Sequence, residues 1–431
     1  MPFVPASVVE VRAWGRTVGA IARSGTGAFG FEFDPGWVRS GIEISPLHLP
    51  LAVRQTYRFP NLNRETWHAL PPAIADSLPD RFGNAIIDAE FARQGASPGQ
   101  ATALDRLVYT GARAMGALEF LPDNGPKSPP PTTLDIGRLV TVARDVVAGR
   151  FGDERESASA IEQILAIGTS AGGARAKAVV NLDPVSLEVR PGQLPQEGYE
   201  SWLLKFDGVG EDNELGTPDH YGRTEYAYSL MARDAGIEMM PTRLLEEGGR
   251  AHFMTRRYDR PGGTRRLHSQ TLCALSILDY NQRGAHDYAQ LFQAIDALGL
   301  GEDVRPQAFR RLVFNWMTAN CDDHTKNHSF LMDEQGSWSL SPAYDLTHAY
   351  NPRGEWTYQH LMSVNGKFSG LTRSDLVEFA ERHGVLGAGA IIEEVAESVA
   401  SWPEHAAAAG LESRLIGRIG DDFQVEALTR R

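Results

Sequence analysis

FNWMTANCDDHTKNHSF, residues 314–330, followed by SLSPAYDL at 339–346, decides how this chain reads. The pair sets Asp322 five residues before Asn327 and puts Asp345 in a short apolar frame beyond an expected turn. One carboxylate that positions a hydroxyl, with an amide and a second carboxylate that hold magnesium, is the residue set of phosphoryl transfer. Asp, Asn and His are also ordinary turn formers after a helix. That plainer explanation leaves unexplained why the loop runs into a strand (SFLMD), a turn (EQGS) and a second strand ending at Asp345. Asp323 competes with Asp322 as the base, and sequence separates the two poorly. Lys326 is suited to neutralise charge on a transferred phosphoryl group. His324 and His328 stand four apart, but zinc needs three or four ligands and no H-E-x-x-H frame is present; histidines that structure the loop are the better reading.

Upstream, Lys205 sits between apolar neighbours in WLLKF. A strand lysine facing a cleft supplies a point charge to nucleotide phosphates, and Glu225, in a helical pattern twenty residues on, is the carboxylate to hold it. The bland alternative is a snorkelling lysine on an edge strand. GTSAGGARAK, Gly168 to Lys177, fails as a Walker A loop because Gly173 is followed by Ala174 rather than lysine. Gly168, Ser170 and Gly172 match G-x-S-x-G, with His348 as a late histidine, but a nucleophile elbow joins a strand to a helix. Here a helical pattern comes first and a strand pattern follows, so a loop covering phosphate fits better, its amides left open by small side chains. RRYDR, Arg256 to Arg260, exits a strand; in a kinase-like order it is the hinge, with Tyr258 near adenine and Asp259 near ribose, against the alternative of a surface salt-bridge cluster.

A chain of 431 residues calls for two or three domains. Hydrophobic content of 42% and charged content of 23% are those of an ordinary globular protein. A formal net charge of -13 argues against the whole molecule coating nucleic acid. Two cysteines, Cys273 and Cys321, cannot staple such a chain, so a reducing cytoplasm is the expected compartment. MPFVPASVVEVRAWGR has no basic start or long apolar core, so no signal peptide is expected, and no apolar run approaches a membrane span. Residues 7–60 alternate as short strands, a helical pattern runs from Pro71 to Gly95, and PDNGPKSPPPTT at 122–133 reads as a linker. The expected division is 1–121, a linker at 122–133, a nucleotide-binding region at 134–260, and a helical lobe at 261–431.

Taken together these motifs resemble the HipA family, serine/threonine kinase toxins of bacterial HipBA-type toxin–antitoxin pairs. SLPDRFGNAIIDAEFARQG, LDRLVYTGARAMGALEF, SAGGARAK, WLLKF and LSPAYDLT carry the likeness with the 314–330 stretch, over nearly the whole length. The resemblance implies an α+β, protein-kinase-like fold with a β-rich N-terminal subdomain and a mostly α-helical C-terminal lobe. It implies ATP and Mg2+ as cofactors, Asp322 as catalytic base assisted by Lys326, and Asn327 and Asp345 on the metal. The ATP set it implies is Gly172, Gly173, Ala174, Lys177, Lys205, Glu225, Tyr258, Asp259 and His324. Ser170, with Thr169 as a second acceptor, is the implied autophosphorylation site, silencing the enzyme by added negative charge. An aminoacyl-tRNA synthetase, glutamyl-tRNA synthetase above all, is the implied protein substrate. A HipB-like helix-turn-helix antitoxin is the implied partner, linking the chain to DNA only indirectly, with no membrane involved. The chain departs from the family at Asp323, where a small residue is common, and at Arg256, where relatives can be acidic. The rival reading is a catalytically idle module that keeps the fold to dock an antitoxin.

Overall fold

A computed structural model describes residues 3–25, 27–97, 99–126, 134–147, 176–192, 196–209 and 220–430. The chain forms two compact units, each gathered from separated stretches. The first comprises Met1–Gly210, Met254–Gln270 and Leu331–Ser337; the second comprises Glu211–Phe253, Thr271–Phe330 and Trp338–Arg431. No helix of the described residues is long and apolar enough to cross a membrane.

In the first unit, β1 (Val8–Ala13), β2 (Arg16–Arg23), β3 (Phe29–Phe33) and β4 (Leu118–Leu121) pair in the order β3-β2-β1-β4. Val9, Val11 and Ala13 are wholly buried while the residues between them are not, so the alternation seen in sequence is the pleat of a one-faced sheet. Ala13 pairs with Arg16, leaving a two-residue loop of Trp14 and Gly15, both at positive φ. That geometry matches the right-handed strand twist, but it is strained for a bulky residue. Trp14 is held there by its Nε1–H, which donates to the Arg266 carbonyl at 2.8 Å, and by stacking on Trp37.

The helical pattern from Pro71 divides into two helices, Pro72–Ala75 and Arg81–Arg93. Pro79 cannot donate within a continuing helix, and Asp80 restarts one by capping: its carboxylate accepts the Gly83 N–H at 2.7 Å. Ile136–Val147 is helical. Residues 148–175, which include the helical pattern ahead of the small-residue loop and that loop with Thr169, Ser170, Gly172, Gly173 and Ala174, lie outside the described residues.

β5 (Lys177–Leu182), β6 (Val189–Pro191), β7 (Glu200–Lys205), β8 (Thr242–Glu247) and β9 (Arg250–Arg256) form a sheet in the order β6-β5-β7-β9-β8. β5 is buried along its whole length, as a strand flanked on both sides should be. The stretch ending at Pro191 forms β6, and at the sheet edge a proline breaks no ladder. β8 and β9 are joined by Gly248 and Gly249, both at positive φ. This Gly-Gly between two runs is a hairpin signal that the sequence reading passed over.

The second unit is mainly helical. Tyr221–Asp234 ends just before Gly236, which takes positive φ. Gly222 in that helix has a packing role: an added Cβ would sit 1.9 Å from the Ala251 carbonyl oxygen of β9. Helices Leu272–Ser276, Ala289–Ala297 and Val304–Met317 follow, and Arg373–Arg382, Ala388–Ala400, Trp402–Ala408, Ser413–Gly420 and Val425–Thr429 close the chain. β10 (His268–Thr271), β12 (Ser329–Met332) and β13 (Trp338–Leu340) pair in the order β10-β12-β13, with part of β10 and of β12 counted in the first unit, and β11 (His286–Asp287) pairs in parallel with β14 (Met362–Ser363).

Candidate active site

The loop Asn320–His328 leaves the Val304–Met317 helix through Ala319, which takes positive φ. The Asn320 N–H caps the helix end by donating to the Asn315 carbonyl at 2.9 Å. The chain then runs parallel to a later segment: the Cys321 N–H donates to the Ala349 carbonyl at 3.1 Å, and the Ala349 N–H donates to the Ala319 carbonyl at 3.2 Å. These bonds place the loop beside the segment that follows Asp345. A second tie lies closer to it. The Tyr344 hydroxyl, one residue before Asp345, donates to the Lys326 carbonyl at 2.7 Å, one residue before Asn327. Asp345 itself takes positive φ, at 54°, which costs a non-glycine residue energy and is found where surrounding structure over-determines the backbone.

Asn327 closes a short 3-10 turn, Thr325–Asn327. Its side-chain amide donates to the Asp322 carbonyl at 2.7 Å. That bond uses the nitrogen and reserves the amide oxygen for a ligand. With the half-buried Asp345 carboxylate, the donor set is oxygen only and suits a hard cation such as magnesium. Magnesium usually takes one or two carboxylates plus substrate phosphates. The described residues hold no group of three or more His, Cys, Asp or Glu able to bind a metal, and such a site does not need one. The Asp322 side chain keeps 49% of its surface exposed, with His324 Nε2 at 3.8 Å from its carboxylate. The Lys326 ammonium lies 4.4 Å from the centre of the Tyr280 ring, a ring that also meets His324 edge-on. His328 is buried, its pKa driven down to about 3 first by burial and then by Arg311, so it is a neutral core histidine.

Asp323 has the opposite environment to its neighbour. It is wholly buried. One carboxylate oxygen accepts the Tyr288 hydroxyl at 2.8 Å and His360 Nδ1 at 2.9 Å; the other accepts the Leu361 N–H at 2.8 Å and the Met362 N–H at 3.4 Å. Burial works against a charge on His360, but Asp323 and then Cys321 outweigh it and push its pKa up to about 10. Of the two aspartates that sequence could not separate, Asp322 is the one that faces solvent. At Asp323, where the chain departs from the family, both carboxylate oxygens are committed to protein donors. Tyr288, His360, Tyr280 and Tyr344 were all missed in sequence. Tyr344 adjoins Asp345 and was within reach, whereas nothing local marks His360.

The remaining candidates divide between the units. Glu225 belongs to the second unit, buried on the Tyr221–Asp234 helix. Lys177 and Lys205 belong to the first and are direct partners across β5 and β7, so both side chains stand on one sheet face. Lys177 is buried, its ammonium 3.2 Å from the Asp80 carboxylate that caps the Arg81–Arg93 helix, while Lys205 is half-buried. Tyr258 is half-buried. Asp259 corrects the expectation of a ribose contact: it is wholly buried, bridged to Arg257 at 2.7 Å and Arg260 at 2.5 Å, and it accepts the Gly116 N–H at 2.7 Å. Burial opposes its charge, but Arg257 and then Arg260 prevail and hold its pKa below the usual carboxylate range. Arg256 pairs with Glu200 at 2.8 Å at the partly exposed edge of the same region.

Comparison with known proteins bears on the whole chain. A family model described as HipA-like C-terminal domain matches residues 169–403, more than half of the sequence, and one described as HipA N-terminal domain matches residues 9–121. A Sinorhizobium fredii protein named "Putative kinase Y4mE" is 25% identical over 356 residues, which are 77% of this chain and 75% of the relative. Another from the same organism, "Putative kinase Y4dM", is 28% identical over 211 residues, 44% of this chain and about half (48%) of the relative. Among solved structures, a chain of the Shewanella oneidensis MR-1 toxin–antitoxin complex of HipA, HipB and operator DNA superposes with a TM-score of 0.64. It is 17% identical, and the match covers 97% of this chain and 96% of that one; at this identity the likeness speaks to the fold.

Proposed function

The chain belongs to the HipA family, and on that premise we propose that it is an ATP-dependent kinase that phosphorylates serine or threonine on a protein. The observation that carries this reading is the 2.7 Å bond from the Asn327 amide to the Asp322 carbonyl. It joins the solvent-facing carboxylate and the amide oxygen in one rigid turn, while Tyr344 ties that turn to the chain just before Asp345. The names of the two Sinorhizobium relatives support the same class of reaction.

In the proposed reaction the acceptor hydroxyl oxygen bonds to the γ-phosphorus of ATP. The bond from that phosphorus to the β–γ bridging oxygen breaks, and ADP leaves. Asp322 aligns the hydroxyl and accepts its proton. Asn327 and Asp345 would hold magnesium, which when bound neutralises charge on the phosphates. Lys205, sharing a sheet face with Lys177, supplies positive charge toward the nucleotide. Lys326 does the same toward the transferred group, with Tyr280 supporting its ammonium. Ser170 is the proposed autophosphorylation site. The proposed partner is a HipB-like helix-turn-helix antitoxin, a pairing that the Shewanella complex supports by its composition. The net charge of -13 suits a chain whose partner supplies the DNA-binding surface. An aminoacyl-tRNA synthetase is the proposed substrate, and growth arrest the proposed outcome.

Intact-mass and peptide mass spectrometry after incubation with Mg-ATP tests the reading, wild type beside Asp322→Asn. One added phosphate on the Gly168–Lys177 peptide, absent in the variant, is the expected result. No transfer to the chain or to synthetase substrates, from unmodified protein that binds ATP, would favour the idle docking module instead.

A further inference from the structure

We infer that Asp323 is a positioning residue: its buried carboxylate, held by Tyr288, His360 and the Leu361 and Met362 amides, sets where the Asp322 peptide stands. The inference deepens the kinase reading and rests on it.

A carboxylate presents about four lone-pair directions, and the structure fills them with one hydroxyl, one ring nitrogen and two backbone amides. The donors come from Tyr288, just past β11, and from His360 to Met362, which lead into and begin β14, the two elements of the parallel pair. One side chain thus pins the loop to both strands of that pair. Behind Tyr288 the hydrogen bonds all run one way. Asn320 Nδ2 donates to Asn315 Oδ1 at 2.9 Å, Asn315 Nδ2 to the Tyr288 hydroxyl at 3.0 Å, and that hydroxyl to Asp323. Such a chain polarises toward its acceptor end, and Asp323 is that end. His360 is fixed from its other face by stacking on Trp316, with ring centres 4.0 Å apart and planes within 12°. The peptide joining Asp322 to Asp323 is therefore held twice, at its oxygen by Asn327 and at its far residue by this anchor. A loop exposed to solvent gains a base at a defined position, and the buried neighbour supplies that definition.

The test compares wild type with Asp323→Asn and Tyr288→Phe. An amide at 323 turns one acceptor into a donor facing donors; Tyr288→Phe removes a single donor and keeps the shape, which covers the case in which Asp323→Asn does not fold. ADP release from Mg-ATP counts transfer to protein and to water alike. The expected result is a kcat lower by about 100-fold in Asp323→Asn, since a misplacement near 1 Å costs that much. In Tyr288→Phe a loss of about tenfold is expected, the worth of one hydrogen bond to a charged group. The KM for ATP stays within about twofold in both. Hydrogen exchange should quicken in the 319–329 peptide and, in Asp323→Asn, at the Leu361 and Met362 amides that donate to it, and not elsewhere in the second unit. An unchanged kcat overturns the inference whether or not exchange quickens. So does faster exchange across the whole second unit with kcat and KM moving together, which marks a merely structural residue. If the wild type itself releases no ADP, the kinase reading falls, and the exchange result alone decides whether Asp323 anchors the loop.

Discussion

The Arg257–Arg260 turn of the first unit and the Cys321–His328 loop of the second each bury one aspartate completely. Asp259 is surrounded by guanidinium groups and a glycine amide; Asp323 by a hydroxyl, a protonated imidazole and two amides. In sequence both stretches are short mixtures of Asp with basic residues. What separates them is the residue beside the buried one. Next to Asp259 stand Tyr258, half-buried, and Arg260, buried. Next to Asp323 stands Asp322, with half its side chain in solvent. A buried carboxylate is a structural fixture in both places, but only the second stands beside a carboxylate that meets solvent.

The sharpest way to break this contrast is Asp322→Asn. Phosphotransfer from Mg-ATP should fall about 1,000-fold, the scale of a lost general base. The melting temperature should stay within about 2 °C, because the side chain is exposed. A large drop in melting temperature would place Asp322 among the structural aspartates instead.

Asp259→Ala probes the other region. It leaves Arg257 and Arg260 buried without their shared partner, and about 3–5 kcal/mol of stability should go. Thermal unfolding reads the loss. ATP affinity of the folded fraction should not change, in line with a carboxylate sealed from ligand.

Acid and alkali should then distinguish the two fixtures. Asp259 has a folded pKa below its unfolded value of 3.8, so its stabilisation is present above that pH and is lost on acidification below it. His360 has a folded pKa of about 10 against 6.5 unfolded. Its stabilisation, on the order of a few kcal/mol, is complete below pH 6.5 and drains away as pH rises toward 10. Melting curves from pH 6 to 10 should slope downward in wild type, and His360→Gln should flatten them. An equal slope in that variant would remove His360 from the account.

The smallest effect belongs to Arg256→Ala. Its pair with Glu200 is partly exposed on both sides, so less than about 1 kcal/mol should be lost, and ATP affinity should hold. A marked drop in affinity would restore Arg256 to the nucleotide site and narrow the contrast between the regions.

Much was legible in the residues alone. The D-x-x-x-x-N spacing and the strand–turn–strand that follows located the loop, because a short turn and a two-strand hairpin leave local signals. Alternation in 7–23 showed the first sheet for the same reason. The Pro79 break and the Asp80 cap were also local and were passed over within a continuous apolar pattern. Other features had no local sign. Lys177 pairs with Asp80 across almost a hundred residues, and His360 reaches Asp323 across 37. The two compact units interleave along the chain, which no linear division expresses.

By itself, then, the sequence determined the chemical inventory: which carboxylates, amides and lysines exist and how far apart along the backbone they stand. Only the tertiary structure decided which of two adjacent aspartates meets solvent and which is consumed within. That choice is made by burial and by donors brought from distant segments, and neither is encoded in the spacing of neighbours.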